Sequence, residues 1–162
     1  MDDLAATFTD AGMHQVTTFL ASGNVIFQTN DCSEAELITR LEAAFHKRFE
    51  FSTNVLVRTL PDLETISAWM PFTVEERAGA QTDSIGFAGS RMPPDVLRIL
   101  VQLGDESDRF AATETEIHWL SLNRQSEASF TVKQLERALG LPISFRNRTT
   151  VQRITAKCKQ DS

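Results

Sequence analysis

The segment from Thr18 to Phe27 constrains the fold of this chain more than any other, because it has the pattern of a β-hairpin. Two short apolar, β-prone runs meet there at Ser22-Gly23-Asn24, and small polar residues around a glycine favour a tight turn. Gly23 and Asn24 can supply the positive φ angles that such a turn needs, whereas Ser22 and Asn24 can instead offer polar groups to a ligand. The sequence therefore predicts a hairpin and leaves open whether the hairpin also belongs to a site.

The first part of the chain alternates helical and strand-like patterns around this hairpin. The predicted elements are, in order, a short helix ended by Gly12, strands at about 14–20 and 24–29, a helix at 33–48, a strand at 51–58 and a helix after Thr59. The helix at 33–48 is indicated most strongly, because Ser33 and Glu36 form the pattern of a capping box. The order is α-β-β-α-β-α.

A polar stretch at 73–83, which contains Gly79, predicts the boundary between two subdomains, residues 1–72 and 84–162. The predicted elements of the second subdomain are, in order, a strand at 84–88, a helix opened by Pro93-Pro94-Asp95, paired strands at 110–113 and 116–122, a helix at 131–139 and a last helix from near Asn147. Both halves therefore have an α+β character.

The charge is unevenly distributed along the chain. The whole sequence carries 16 basic and 22 acidic residues, a net charge of −6. From Leu141 to the end there are five basic residues and one acid, a charge of +4, which leaves −10 on the rest. An acidic body repels a phosphate backbone, so nucleic acid is not expected as a partner. The basic end segment either complements the acidic body or meets an anion.

Several features favour a cytoplasmic protein that does not enter a membrane. No apolar run approaches the roughly 20 residues that a membrane-spanning helix needs. The acidic start lacks the basic and apolar regions of a signal peptide. Cys32 and Cys158 lie far apart and show no metal-binding spacing, so two reduced thiols are expected rather than a disulfide framework.

The sequence contains no motif that identifies a reaction. His14, His46 and His118 lie on different predicted elements and do not form the cluster that a zinc site needs. The GxSxG elbow, the phosphate-binding P-loop and the GxGxxG loop are all absent from the sequence. We therefore predict no cofactor and no metal site, and we assign no catalytic residue.

The end of the chain contains the strongest candidate for a ligand site. If Asn147 caps the final helix, the free backbone amides of the first turn lie beside Arg146, Arg148 and the hydroxyl of Thr150. Such an arrangement can bind a phosphate or a carboxylate, so a small anionic ligand is the expected partner. The alternative is structural, because every helix needs a cap and the two arginines can pair with acids elsewhere in the fold.

Two motifs resemble those of a bacterial family catalogued as domain of unknown function 1697. The first is the hairpin at 19–27, and the second is Leu135-Glu136-Arg137-Ala138-Leu139-Gly140 followed by Ser144-Phe145-Arg146-Asn147-Arg148-Thr149-Thr150-Val151. Ile117-His118-Trp119-Leu120 and Ser129-Phe130 also fit, so the resemblance covers nearly the whole chain. The sequence departs from the family where Arg148-Thr149 replaces a Trp-Asn pair and where Ser144 replaces a threonine.

The resemblance implies a ferredoxin-like β-α-β-β-α-β subdomain packed on a second small α+β subdomain. Relatives begin with a strand and a loop that precede the first helix, whereas this sequence starts at that helix. A start codon assigned too far downstream, a real truncation, or a strand supplied by another chain would each account for the difference, and we expect the first.

Taken together, these patterns predict a binding module for a small molecule or a protein, with Ser22, Asn24, Arg146, Asn147, Arg148 and Thr150 as ligand contacts. The alternative is an enzyme that acts on an anionic small molecule held at Arg146 and Asn147. The sequence leaves the choice between monomer and homodimer open.

Overall fold

The computed structural model describes residues 2–20, 23–30 and 33–160 and divides into two units of mixed helices and strands. The first unit comprises the chain through Val57 together with the residues from Gln160 onward, and the second runs from Arg58 to Lys159. Each unit combines helices with antiparallel strands, which confirms the predicted α+β class.

The first unit contains a two-stranded hairpin and two helices among its described residues. These are α1 (Asp2–Asp10), β1 (His14–Phe19), β2 (Asn24–Gln28) and α2 (Glu34–Phe49). The predicted capping box is confirmed: Ser33 Oγ accepts the Glu36 N–H at 3.3 Å, and the Glu36 carboxylate accepts the Ser33 N–H at 2.9 Å. The buried core between these elements contains Phe8, Met13, Leu37 and Leu41.

The predicted strand at 51–58 does not form, so the ferredoxin-like order is present only as its central α-β-β-α part. Residues 52–58 have no regular secondary structure and join no sheet. The N–H of Val55 donates instead to Glu42 Oε1 of α2 at 3.1 Å, and the Val55 side chain packs on the core of the unit. A side chain of the neighbouring helix thus satisfies a backbone donor that a strand partner would otherwise take.

The second unit is built on a four-stranded antiparallel sheet in the order β4-β5-β3-β6. Its elements are α3 (Leu60–Ala68), α4 (Val74–Ala78), β3 (Thr82–Ala88), α5 (Val96–Leu103), β4 (Asp108–Ala112), β5 (Glu116–Ser121), α6 (Val132–Leu139), β6 (Ile143–Asn147) and α7 (Arg148–Gln160). The predicted pairing of the strands near 110 and 116 is confirmed, and the helix before Gly140 ends there, with Gly140 at φ 72°.

The two faces of this sheet differ in chemistry because side chains alternate along each strand. One face carries Ile117, Trp119 and Ile143, which form a core with the apolar sides of α5 and α6. The opposite face, here called the charged face, carries Asp83, Glu116, His118 and Arg146, as the register of β3 with β5 and β6 requires. The side chains of Trp69, which follows α3, and of Arg148, which begins α7, contact His118 on this charged face.

The structure differs from the predictions for the second unit in three places. The predicted linker at 73–83 contains helix α4 and the start of β3. Ile143–Asn147 form a strand, β6, that was not predicted, whereas the last helix begins at Arg148, as predicted. Helix α3, placed by the sequence in residues 1–72, belongs to the second unit, where Ser67 Oγ and Thr155 Oγ1 share a hydrogen bond of 2.9 Å. The limits at 72 and 84 stay a prediction.

Candidate functional site

Arg148 lies at the centre of a buried polar cluster on the charged face. Its Nε donates to Asp83 Oδ1 at 2.8 Å, and its Nη1 donates to the carbonyl oxygen of Trp69 at 3.2 Å. Its Nη2 lies 2.8 Å from His118 Nδ1. Because a guanidinium only donates, the Nδ1 atom accepts, which leaves the proton of the neutral imidazole on Nε2. The side chain of Arg148 is 3% exposed, so this charge is compensated within the protein.

His118 is held neutral by its surroundings. Burial and the adjacent Arg148 charge lower the pKa of His118 to about 4. The Trp69 ring packs edge-on against the imidazole, with ring centroids 4.5 Å apart. Among the described residues, no partner accepts a hydrogen bond from His118 Nε2, although the atom is buried. At neutral pH His118 is therefore a hydrogen-bond acceptor for Arg148 rather than a positive charge.

A second buried ion pair joins the start of the second unit to its sheet. Arg58 Nε donates to Glu116 Oε1 at 2.8 Å, and the Arg58 guanidinium lies over the Phe87 ring. The hydroxyls of Thr113 and Thr115 donate to the other carboxylate oxygen at 2.8 and 3.0 Å. All of these partners belong to the protein, which indicates a structural role for this pair.

The predicted ligand contacts at the end of the chain lie at the passage from β6 to α7. Arg146 Nη1 donates to Ser144 Oγ at 2.7 Å and to the Phe145 carbonyl at 2.8 Å, and burial lowers the pKa of Arg146. Asn147 Oδ1 accepts from Ser84 Oγ at 3.3 Å, and Thr150 is half-buried in the first turn of α7. Arg146 and Asn147 are consecutive residues of β6 and face opposite sides of the sheet, Thr150 lies in the first turn of α7, and the Arg148 side chain is directed into the interior.

In the hairpin, the predicted ligand contact Asn24 forms a hydrogen bond within the hairpin itself. Asn24 Nδ2 donates to the Phe19 carbonyl across the turn at 3.2 Å, and Gly23 has a φ of 73°. This bond supports the structural interpretation of the turn. Ser22, like Cys32, lies outside the described residues. The hairpin belongs to the first unit and Arg146 to the second.

A groove that the sequence did not predict lies on the charged face between α4 and the start of β4. Its volume is about 190 Å³, and its lining residues are Glu75, Glu76, Gly79, Ser107, Arg109, Leu120, Ser121 and Leu122. Leu120 and Ser121 are buried and form its floor, while the charged residues at its rim are exposed. The lining residues are widely spaced in sequence, and some of them lie in the stretch predicted as a linker. No local sequence motif therefore predicts the groove.

The charges at the rim of the groove are available to a ligand. Glu75 makes neither a hydrogen bond nor an ion pair with any residue that the structure describes. Arg109 Nη1 donates to the carbonyl oxygens of Glu106 and Asp108 at 3.0 and 2.9 Å, both neutral acceptors. Opposite charges therefore face the same groove without a direct ion pair between them.

Residues 2–20, 23–30 and 33–160 contain neither a metal-binding cluster nor a membrane-spanning helix. No group of three or more histidine, cysteine, aspartate or glutamate side chains is arranged to hold a metal ion there. None of the helices in these ranges is long and apolar enough to cross a membrane.

Comparison with known proteins identifies relatives by sequence model and by fold. The family model described as "Protein of unknown function (DUF1697)" matches residues 1–118. A solved structure described as the conserved bacterial protein SP0830 from Streptococcus pneumoniae has a TM-score of 0.77 and 20% identity, covering 98% of this chain and 88% of its own. No curated protein matched the sequence. Since the family model matches well over half of the chain, this protein belongs to the DUF1697 family.

Proposed function

We propose that this protein is a binding module whose ligand is a small molecule with a positive and a negative group, held in the groove between α4 and β4. The observation that carries this proposal is the pair of unneutralised, opposite charges at the rim, Glu75 and Arg109, above a floor formed by the buried residues Leu120 and Ser121. Ligand sites combine apolar walls with a few polar groups that set orientation, and this groove has that composition.

The chemistry of the rim determines the class of ligand. The carboxylates of Glu75 and Glu76 favour an ammonium or guanidinium group, although Glu76 Oε2 also accepts the Thr73 N–H at 2.8 Å in the cap of α4. Arg109 has donors beyond Nη1 that can meet a carboxylate or a phosphate. Leu120 and Leu122 provide apolar contact between the two ends. A short zwitterion satisfies all three features at once.

The size of the groove limits the ligand to a small molecule or to the end of a larger one. A volume of 190 Å³ corresponds to about six water molecules at roughly 30 Å³ each. It is smaller than the range typical of drug-sized ligands, about 300 Å³ and above. A four-carbon amino acid is therefore a suitable probe.

The test is a titration followed by NMR with three probes of one carbon frame: 4-aminobutyrate, butyrate and butylamine, at equal ionic strength. We expect 4-aminobutyrate to shift the amide signals of Arg109 and Leu120 at lower concentration than either singly charged probe. Equal responses to all three probes would contradict the proposal, because binding in the groove would then not depend on both charged groups of the ligand.

Matched variants locate the binding. Glu75→Gln and Arg109→Gln each remove one rim charge and are expected to weaken 4-aminobutyrate binding at least fivefold. Arg124→Gln, an exposed arginine that does not line the groove, is the control and should bind as the wild type does. Unchanged binding by both rim variants would assign the ligand to another place.

The passage from β6 to α7 supports a second candidate, a small anion held at Arg146 and the start of α7. The specific observation is that burial lowers the pKa of Arg146, so its charge is partly removed from water beside a helix start with no acid in its first turn. An anion bound there would be the substrate if the protein is an enzyme. Thermal shifts of wild type and Arg146→Gln with phosphate and with acetate test this: equal stabilisation of both proteins would remove Arg146 from the site.

A further inference from the structure

The two outer edges of the four-stranded sheet are protected to different degrees. In an antiparallel pair, alternate residues direct their backbone N–H and C=O groups toward the partner strand and away from it. The bond from Gly89 N–H to the Pro142 carbonyl at 2.9 Å sets this alternation for β6. The backbone N–H and C=O groups of Ile143 and Phe145 are therefore directed away from β3. The bond from Thr113 N–H to the Glu116 carbonyl at 2.9 Å sets the same alternation for β4. The backbone N–H and C=O groups of Phe110 and Ala112 are therefore directed away from β5.

On the β6 edge, each of the two outward residues Ile143 and Phe145 has one backbone group bonded to a side chain. The outward N–H of Ile143 donates to Glu136 Oε1 at 3.0 Å, and the outward carbonyl of Phe145 accepts from Arg146 Nη1 at 2.8 Å. Such devices prevent an exposed edge from pairing with another chain. β6 then leads directly into α7, which ends the edge.

The β4 edge is protected only at its first residue. Asp108 N–H donates to the Asp105 carbonyl at 3.1 Å, and the Asp108 carbonyl accepts from Arg109 Nη1 at 2.9 Å. Within the described part of the chain, no hydrogen bond reaches the outward N–H and C=O groups of Phe110 and Ala112. Four backbone groups thus remain available along this edge.

Helix α5 adds an apolar surface to the same side of the sheet. It contacts β4, and its C-terminal end packs closely there, since a Cβ atom on Gly104 would lie 2.7 Å from Phe110 Cε2. Leu97 and Val101, four residues apart on one flank of α5, are 44% and 69% exposed. The open edge of β4 therefore has an exposed apolar flank of α5 next to it.

We propose that this combined surface binds a second copy of the chain, with β4 pairing antiparallel to β4 of the copy about a twofold axis near Ala111. With this register Phe110 of one copy lies opposite Ala112 of the other, so each of the four outward groups in one copy gains a partner. The twofold axis also places α5 beside α5 of the copy, where Leu97 and Val101 leave water. The second copy is the occupant because the surface is self-complementary: it needs a strand edge and an apolar helix flank together and offers the same pair.

Sedimentation velocity of the full chain over a range of concentrations tests this proposal. We expect a species of twice the 18.1 kDa monomer mass. A monomer at every concentration up to about 200 µM would overturn the proposal. Val101→Arg should weaken the dimer at least tenfold, because it places charge in the helix contact. Val74→Arg changes a valine of similar exposure, 76%, on α4 and should leave the dimer intact.

Two measurements separate this pairing from any other dimer. Ala112→Pro removes an outward N–H on an edge strand while leaving the bonds to β5 in place, and it should also weaken the dimer at least tenfold. Hydrogen exchange should show the amides of Phe110 and Ala112 protected only at concentrations where the dimer forms. A dimer whose Phe110 and Ala112 amides exchange as fast as those of the monomer would contradict the proposal.

Discussion

Arg148 begins α7 and reaches the charged face of the sheet, and Arg109 extends from β4 on that same face, yet the structure uses their charges in opposite ways. Arg148 is buried and divides its donors among Asp83, Trp69 and His118. Arg109 is exposed and contacts only neutral carbonyls in the described residues. A buried arginine whose partners are all internal holds the fold together, whereas an exposed one beside a groove is available for recognition.

Among the substitutions that test this comparison, Arg148→Met is expected to have the largest effect on stability. We expect a loss of about 3–5 kcal/mol in the free energy of unfolding, because Asp83 loses its closest cation and the Trp69 carbonyl and His118 Nδ1 lose their donor. Urea denaturation followed by circular dichroism measures the loss. A change below about 1 kcal/mol would mean that the cluster does not hold the fold together.

A decrease in pH should weaken the same cluster without a mutation. The pKa of His118 is about 4 in the folded protein against about 6.5 for an unfolded histidine, so between these values the unfolded state binds more protons. Stability therefore falls as pH decreases from about 6.5 to about 4, by about 3 kcal/mol in total.

The control for this prediction is His118→Gln, which lacks the titrating group but retains an acceptor for Arg148. Unfolding free energies measured at intervals between about pH 7 and pH 4 should fall more steeply for the wild type, since the carboxylates contribute equally to both proteins. Parallel curves would show that His118 is not responsible.

Arg77 is intermediate in exposure between Arg148 and Arg109. Its Nε donates to Asp83 Oδ2 at 3.2 Å, and its side chain is 34% exposed, so solvent weakens the pair. We expect Arg77→Gln to reduce stability by about 0.5–1 kcal/mol, as for other partly exposed ion pairs. The exposed pair of Arg98 with Asp95 is the control, and Arg98→Gln should have a smaller effect.

The smallest effect on stability is expected at Arg109. Arg109→Met should change the free energy of unfolding by no more than about 0.5 kcal/mol, because the side chain is exposed and its two acceptors can bind water instead. Urea denaturation under the conditions used for Arg148→Met provides the comparison. A loss as large as that of Arg148→Met would assign Arg109 a structural role and argue against its role in the groove.

Local signals in the sequence predicted the elements whose causes are local. The capping box of Ser33 and Glu36, the cap of Thr59 and the helix end at Gly140 depend on residues a few positions apart, and the structure confirms each of them. The hairpin turn at Gly23 belongs to the same group, since φ is positive there.

The sequence could not predict features that depend on long-range partners. Residues 51–58 have the composition of a strand, but Val55 donates to a helix side chain instead of to a neighbouring strand. Asn147 ends a strand because β3 pairs with it, a contact to a segment 63 positions earlier. The groove at Glu75 and Arg109 likewise unites distant segments, and the pairing of Arg148 with His118 spans 30 positions.

The direct passage from β6 into α7, without a loop, makes the chain length at this point critical. Asn147 is set by its ladder with β3, and Arg148 is already the first residue of the helix. One inserted residue would turn the helix by about 100° relative to the sheet, and a deletion would turn it as far the other way. Either change would move the guanidinium of Arg148 away from Asp83 and His118, so homologous sequences should accept substitutions at this junction more readily than insertions or deletions.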